Sequence, residues 1–571
     1  MDSARGPIPG LSMLRSYKPS WLPRDVVAGL VLSALLVPQG MAYAELAGLP
    51  AVTGLYTSML CLLGYAVFGP SRVLVLGPDS SLGPMIAATV LPLVAADGDP
   101  ATAIALASML ALITGAIMIG AGLAHLGFVA DLLSKPTILG YMNGLALTIV
   151  VGQLPKLLGF SVDADGFVAE LAGFVQGVAA GDVVTAAALV GCGSLLLMLV
   201  LGRVLPRIPA VLVTVIVAMA CSVAFALGDK GVKLVGTLPQ GLPSLTWPQI
   251  QWADLALLVT GAFGIALVAL ADTIGTATSF AERRGEQVDG DKEMVGIGVA
   301  NIAAGFFQGF PVSTSGSRTA VAEQAGAKSQ ITGVVGAMVI AAMLVALPSL
   351  FADLPQATLA AVVIAAALTL ADIAGTRRLL RQRPTDFVLS LCAFAGVALL
   401  GVLPGIILAI ALSVANVFRR VWRPHVAILG RVAGMPGFHD SGVHPEAEVL
   451  GGHVIYRFDA PLIFANASTF RDDIMGFAAG AAGSCWIIVA AEPMTDVDTT
   501  ACDMLEDLVD DLRPLGHTLA FAELKHPVRE KLRQYGLQLP DGSFFPTIEA
   551  AVRACEQQTG AEWVAPGGSA S

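Results

Sequence analysis

Apolar residues run in long blocks from Val26 to about Arg420, separated by short polar stretches that carry most of the basic residues. A membrane-crossing helix needs about 20 mostly apolar residues, and such blocks recur often enough here for roughly a dozen or more spans. The stretches between them are too short to fold as another large domain. After Arg420 the pattern changes. GGHVIYRFDAPLIFANASTFRDDI reads as a strand of mixed polarity followed by a helix, SCWIIVAAE as a buried strand, TTACDMLEDLVDDLRPLG as an amphipathic helix, HTLAFAEL as a strand and HPVREKLRQYGL as a helix. Strands alternating with helices predict a small α/β domain over 440–560. The composition of 561–571, ending in APGGSAS, predicts a disordered tail.

Two segments inside the apolar region are too rich in Gly and Pro to be plain spans: LVLGPDSSLGPMIAATVLPLV, from Leu74, and GFPVSTSGSRTAVAEQAGA, from Gly309. One lies about two spans into the first half, the other about two spans into a second half that begins near Leu255. Hydrophobic segments interrupted at matching positions of two halves point to a binding site between inverted repeats. The pattern therefore predicts an inverted repeat of about seven plus seven spans within a transmembrane domain at 26–425.

Composition agrees with a multi-span membrane protein. The chain is 55% hydrophobic and 13% charged with mean hydropathy +0.76, against roughly a quarter charged residues in an average soluble domain. A net charge of −11 argues against a nucleic-acid partner. It leaves an anionic substrate open, because charges along the pathway set selectivity. Seven cysteines without paired or metal-type spacing read as buried small hydrophobes, so no metal and no cofactor is expected. Residues 1–25 lack the apolar core and cleavage site of a signal peptide and read as a retained cytoplasmic segment. Basic clusters at Arg15/Lys18/Arg24, Arg203/Arg207, Arg283/Arg284/Lys292, Arg377/Arg378/Arg381/Arg383 and Arg419/Arg420/Arg423 mark cytoplasmic loops. An even number of spans then leaves both termini inside the cell.

The chemistry concentrates in the two broken segments. A helix that starts at membrane depth aims unsatisfied N–H groups and a partial positive charge at whatever precedes it, which makes an anion cradle. The second segment adds hydroxyls at Ser313, Thr314, Ser315, Ser317 and Thr319 and the fixed charge of Arg318; the first adds Ser80 and Ser81. A structural ion pair of Arg318 with Glu323 or Asp272 is the competing reading. Asp272 sits in an otherwise apolar span with Thr276 one helical turn later. It suits a coupling proton, or an oxygen site for Na⁺ shared with Thr276. Glu45, near the end of the first span, reads as interfacial or as lining the pathway. GAKS at Gly326 lacks the Gly-Lys pair of a phosphate loop, and His125 has no partner motif.

The stretch VPQGMAYAELAGLPAVTGLY, Val37 to Tyr56, resembles the start of the SulP family of sulfate permeases and anion exchangers, and EMVGIGVANIAAGFFQGFPVSTSGSRTAVAEQAGAKSQITG continues the likeness. The C-terminal region is similar to that family's STAS domain. The resemblance implies fourteen spans in two inverted seven-span repeats, divided into core and gate, working as a homodimer by an elevator-like motion. It implies an anion site between the third and tenth spans with first-span contacts: Gln39, Tyr43, Ser80, Ser81, Ser315, Ser317 and Arg318. Asp272 matches an acidic position tied to cation coupling, where relatives often carry Glu; Asp291 stands where Asn is common. TDVDTTACDML resembles a turn whose hydroxyl is phosphorylated in anti-sigma-factor antagonists, at Asp498, Thr499 and Thr500, although Asp498 by itself reads as a helix cap.

The expected activity is transport rather than catalysis: movement of sulfate or a similar small oxyanion across a bacterial plasma membrane, driven by H⁺ or Na⁺. Na⁺-coupled bicarbonate import and dicarboxylate transport use the same groups. An anion channel, or a receptor signalling through the STAS domain, stands behind them.

Overall fold

The computed structural model describes residues 9–559 except 95–97, 127–133, 163, 165, 206–208, 283–287, 450–452, 482–484, 538 and 540–541. Arg207, Arg283 and Arg284 of the expected basic clusters, and the expected tail at 561–571, lie outside the described residues. The chain divides between Val414 and Ala415 into two units.

The first unit opens on a short helix, α1 (Pro9–Arg15), and then repeats one order of elements twice. The first half runs α2 (Leu22–Leu46), α3 (Ala51–Phe68), strand β1 (Leu76–Gly77), α4 (Gly83–Val90), α5 (Pro100–Leu123), α6 (Lys135–Leu157), α7 (Phe167–Ala180), α8 (Thr185–Val204) and α9 (Ala210–Phe225). The second runs α10 (Leu255–Glu282), α11 (Gly290–Phe306), β2 (Ser313–Thr314), α12 (Gly316–Gln324), α13 (Ile331–Ala346), α14 (Gln356–Leu370), α15 (Ile373–Gln382), α16 (Pro384–Leu400) and α17 (Val402–Trp422). Among the described residues eight helices are long and apolar enough to cross a membrane, and shorter apolar ones fill the same series. Packing is repeated as well as order: α12 lies on α2 as α4 lies on α10, α13 on α2 as α5 on α10, and α16 on α6 as α8 on α14. The seven-plus-seven arrangement thus carries one extra helix per half, α7 and α15.

Small residues let the spans approach closely, as expected where lipid offers no hydrophobic drive for helix association. A Cβ added at Gly54 would lie 1.9 Å from the carbonyl oxygen of Gly40, and one at Gly140 would lie 1.9 Å from that of Ser390. Those glycines hold α3 on α2 and α6 on α16.

Buried charge is placed where backbone donors need it. Asp25, near the start of α2, is fully buried. It accepts hydrogen bonds from Lys328 N (2.7 Å), Ser329 N (3.2 Å), Ser329 Oγ (2.8 Å) and Thr332 Oγ1 (3.1 Å). The carboxylate thus fixes the turn that leads into α13, whose Ser329 Oγ in turn accepts from Ile331 N, and it stands at the positive end of the helix dipole. Asp25→Ala leaves these donors unpaired and is expected to cost about 1.5 to 3 kcal/mol, the range for hydrogen bonds to a charged group. The check is a lower thermal unfolding midpoint of the detergent-solubilised protein; an unchanged midpoint would contradict it.

The second unit holds a six-stranded sheet in the order β4-β3-β5-β6-β7-β8, formed by β3 (Val426–Gly430), β4 (His439–Asp440), β5 (His453–Phe458), β6 (Trp486–Ala490), β7 (Thr518–Ala522) and β8 (Phe544–Phe545). Strands β5 to β8 are parallel, and β3 runs antiparallel to β5. The alternation of side chains across a strand sends Ile487 and Val489 to one face, packed with α18 (Ala467–Gly480) and α19 (Thr499–Leu512), and Trp486 and Ile488 to the other, packed with α21 (Ile548–Thr559). Helix α20 (His526–Gln534) adds Val528 and Leu532 to the first face. Both faces are covered, which is why all five residues of β6 are buried. The sheet begins at Val426, ahead of the boundary at 440 read from the sequence, because β3 follows the last apolar helix after a very short link.

Candidate anion site

The two broken segments meet. β1 and β2 pair antiparallel, Leu76 opposite Thr314 and Gly77 opposite Ser313. The ladder is extended by Ser315 N donating to Val75 O (3.2 Å) and Val75 N donating to Thr319 Oγ1 (3.1 Å). Irregular backbone at membrane depth has to be satisfied by protein, and each broken segment does this for the other. The half-helices α4 and α12 therefore both begin at one short ribbon.

Arg318, in the first turn of α12, is 2% exposed. Its Nη1 donates to Pro78 O (2.5 Å), and its Nη2 stands 3.6 Å from Asp79 Oδ2. The carboxylate beside it is thus Asp79, where the sequence had offered Glu323 or Asp272. Arg318 Nε and Nη2 make no hydrogen bond, and neither does the buried Ser313 Oγ. An uncompensated buried donor is costly, so these groups are poised for an acceptor. Ser315 caps α12, accepting from Arg318 N, and its Oγ lies 3.0 Å from Ser317 Oγ.

Ser81 sits between two carboxylates. It donates from N and Oγ to Asp79 Oδ1 (2.9 and 2.8 Å), and its Oγ is 3.2 Å from Asp272 Oδ2 on α10. Thr273, next along α10, accepts from Thr314 Oγ1 (3.0 Å). Thr276 flanks α12: a Cβ added at Gly316 would lie 3.8 Å from Thr276 Oγ1. Asp272 also faces a small cavity lined by Tyr141 of α6 and Ile406 of α17, and the buried Tyr141 hydroxyl has no hydrogen-bond partner. Tyr43 of α2 is buried within electrostatic reach of Asp79, Ser80 and Arg318. Gln39, one turn earlier on α2, is half-buried, and among the described residues no side-chain hydrogen bond ties it to the cluster.

The predicted Tyr43, Ser80, Ser81, Asp272, Ser315, Ser317 and Arg318 thus gather around one point, and Gln39 is not joined to them. Sequence reasoning passed over two that the structure adds, Asp79 and Tyr141. Asp79 had a signal, an acidic residue at membrane depth; Tyr141, in an ordinary apolar span, had none. Asp498, Thr499 and Thr500 stand in the second unit. Asp498 caps α19, accepting from Ala501 N (2.8 Å), and accepts from Phe464 N (2.7 Å) with its other oxygen, while both threonines are exposed.

Known proteins resemble this chain in sequence and in fold. The chain matches the sulfate permease family over residues 22–393 and the STAS domain over 444–551. It is 40% identical to a probable sulfate transporter of Mycobacterium tuberculosis, over 97% of this chain and 99% of that one. It is 33% identical to human solute carrier family 26 member 6, over 79% of this chain and 62% of that one. The structure of the murine solute carrier 26 family member A9 anion transporter superposes with a TM-score of 0.88 at 25% identity, covering 96% of this chain and 94% of that one. The transmembrane domain of a cyanobacterial bicarbonate transporter shares the fold, with a TM-score of 0.60 at 22% identity over 70% of this chain and 98% of that one. The chain belongs to the sulfate permease family, and it is a multi-pass membrane anion transporter rather than an enzyme.

Proposed function

We propose that the protein is a proton-coupled secondary transporter of sulfate or a closely similar small oxyanion, acting as a homodimer by elevator-like alternating access in the inner membrane of a bacterium. The observation that carries this reading is the buried Arg318, with two nitrogens lacking hydrogen-bond partners, at the junction of two half-helix N-termini. Two positive helix ends, one guanidinium and the hydroxyls of Ser80, Ser313, Ser315 and Ser317 supply donors and charge for an oxyanion without a metal. Asp79 offsets part of that charge, which favours release as well as capture. Sulfate as the substrate is supported by the 40% identical mycobacterial relative. The elevator motion, the dimer and both termini in the cytoplasm rest on the resemblance and on the basic loops. Exposed Leu189, Leu196, Val223 and Leu399 on the spans suit contact with lipid.

Coupling follows from Ser81. A hydroxyl has one proton, and two carboxylates compete for it. When Asp272 is protonated it donates to Ser81 Oγ, Ser81 donates to Asp79, and Asp79 stays paired with Arg318. The chain is then satisfied and carries one less negative charge beside the anion. When Asp272 is ionised, two carboxylates face one hydroxyl and repel the anion. Proton and anion thus bind together, as symport requires. Na⁺-coupled bicarbonate import is the second reading, with Asp272 and Thr276 as the oxygen ligands. Labelled sulfate uptake, competed by unlabelled bicarbonate or dicarboxylate while Na⁺ is replaced at fixed pH, separates them. Bicarbonate competition that depends on Na⁺ would favour the second. Saturable exchange without unitary currents is expected, where a channel would pass such currents.

The second unit is proposed as a cytoplasmic STAS domain with Thr500, exposed one residue beyond the head of α19, as a phosphorylation site that tunes transport. The expected result is phosphate on the wild-type domain by mass spectrometry, and altered uptake in Thr500→Ala. Unmodified protein with unchanged uptake would count against it.

A further inference from the structure

At the other end of α2 from Asp25 lies a second cavity, largely apolar in its walls with a few charged and polar groups. It measures about 480 Å³, and its charged and polar lining comprises Glu45 of α2, Lys156 at the end of α6, Lys233 in the segment after α9, Gln356 in the first turn of α14, Ser161 and Thr237. Lys233 is held in place: Gln356 N donates to Lys233 O (2.9 Å), and the flanking residues form a bridge, Leu234 opposite Pro355. Among the described residues neither lysine forms an ion pair, and both are exposed. Glu45 feels Lys156 electrostatically, yet no salt bridge joins them. At about 30 Å³ per water, the cavity has room for on the order of fifteen waters. That suits an anion still hydrated, unlike the tightly enclosed surroundings of Arg318.

We propose that this cavity is an outer anion-collecting site, in which Lys156, Lys233 and the positive end of α14 hold a hydrated inorganic oxyanion before it passes to Arg318, and in which Glu45 weakens that hold. Two ammonium groups and a helix N-terminus outweigh one carboxylate, so the mouth is net attractive to anions. Long-range capture of this kind acts on concentration at the mouth and is screened by salt. The site rests on the proposed transport function and on the orientation that puts the end of α2 outside.

The test is sided sulfate uptake in membrane vesicles. Lys156→Gln/Lys233→Gln is expected to raise the half-saturating external sulfate several-fold and to flatten its dependence on ionic strength, leaving maximal rate and internal half-saturation unchanged. Arginine at both positions restores the wild-type values, and Glu45→Gln lowers external half-saturation. Unchanged external half-saturation in the double glutamine variant at normal abundance, or a shift seen only from the inside, overturns the proposal. A second measurement does not need transport. External sulfate should protect Lys156 and Lys233 from a membrane-impermeant amine reagent, equally in wild type and in Arg318→Ala. No protection overturns the collecting site, whereas protection without any sulfate uptake by wild type overturns only the transport reading.

Discussion

Arg318→Ala is expected to weaken sulfate binding by about 1.5 to 3 kcal/mol, the range for losing a charged hydrogen-bond partner, or roughly ten- to a hundredfold in Kd at 1.4 kcal/mol per tenfold. The magnitude follows from burial: the guanidinium is 2% exposed, so water screens its attraction for an anion poorly. Equilibrium binding of labelled sulfate to purified protein measures it. Arg318 also pairs with Asp79 and donates to Pro78 O, so the alanine variant strands a carboxylate. Arg318→Gln/Asp79→Asn removes both charges together and separates the roles. Weak binding in the double variant means that Arg318 holds the anion; binding restored to wild type means that it only neutralises Asp79.

Asp272→Asn is expected to uncouple transport from the proton gradient. Asparagine stands in for the protonated acid, since its amide can donate to Ser81 Oγ, which lies 3.2 Å from Asp272 Oδ2 in the native protein. Anion binding and exchange are therefore expected to survive while response to a pH gradient disappears. The effect is large in accumulation. One pH unit is worth about 1.4 kcal/mol per proton, so a coupled transporter concentrates sulfate about tenfold for each proton carried, and the variant not at all. A gradient response retained by Asp272→Asn would remove this carboxylate from the coupling path.

Much of this was legible in the sequence because membrane chemistry leaves coarse marks. Long apolar blocks gave the spans. Gly77, Pro78, Gly83 and Pro84 in one half and the glycines around Ser315 in the other marked where helices break, and Arg318 stood out as a charge at depth. What the sequence hid was pairing at a distance. The ladder of Leu76 with Thr314 joins residues far apart in the chain with nothing special in their side chains. Asp79 was visible as a residue, but its partner was not, since an arginine among Glu323, Asp272 and Asp79 has no preference that spacing reveals. Glu45 looked interfacial because the lysines across its cavity come from α6 and from the segment after α9. The early start of the sheet at Val426 was masked by five residues, VAILG, that read equally well as the end of an apolar run.

The most direct measurement is labelled sulfate uptake into proteoliposomes under an imposed proton or Na⁺ gradient, with wild type beside Asp272→Asn. Sulfate accumulation is expected to follow an inward proton gradient, to ignore Na⁺, and to fall to the no-gradient level in the variant. Na⁺-driven bicarbonate uptake with no accumulation of sulfate would contradict this.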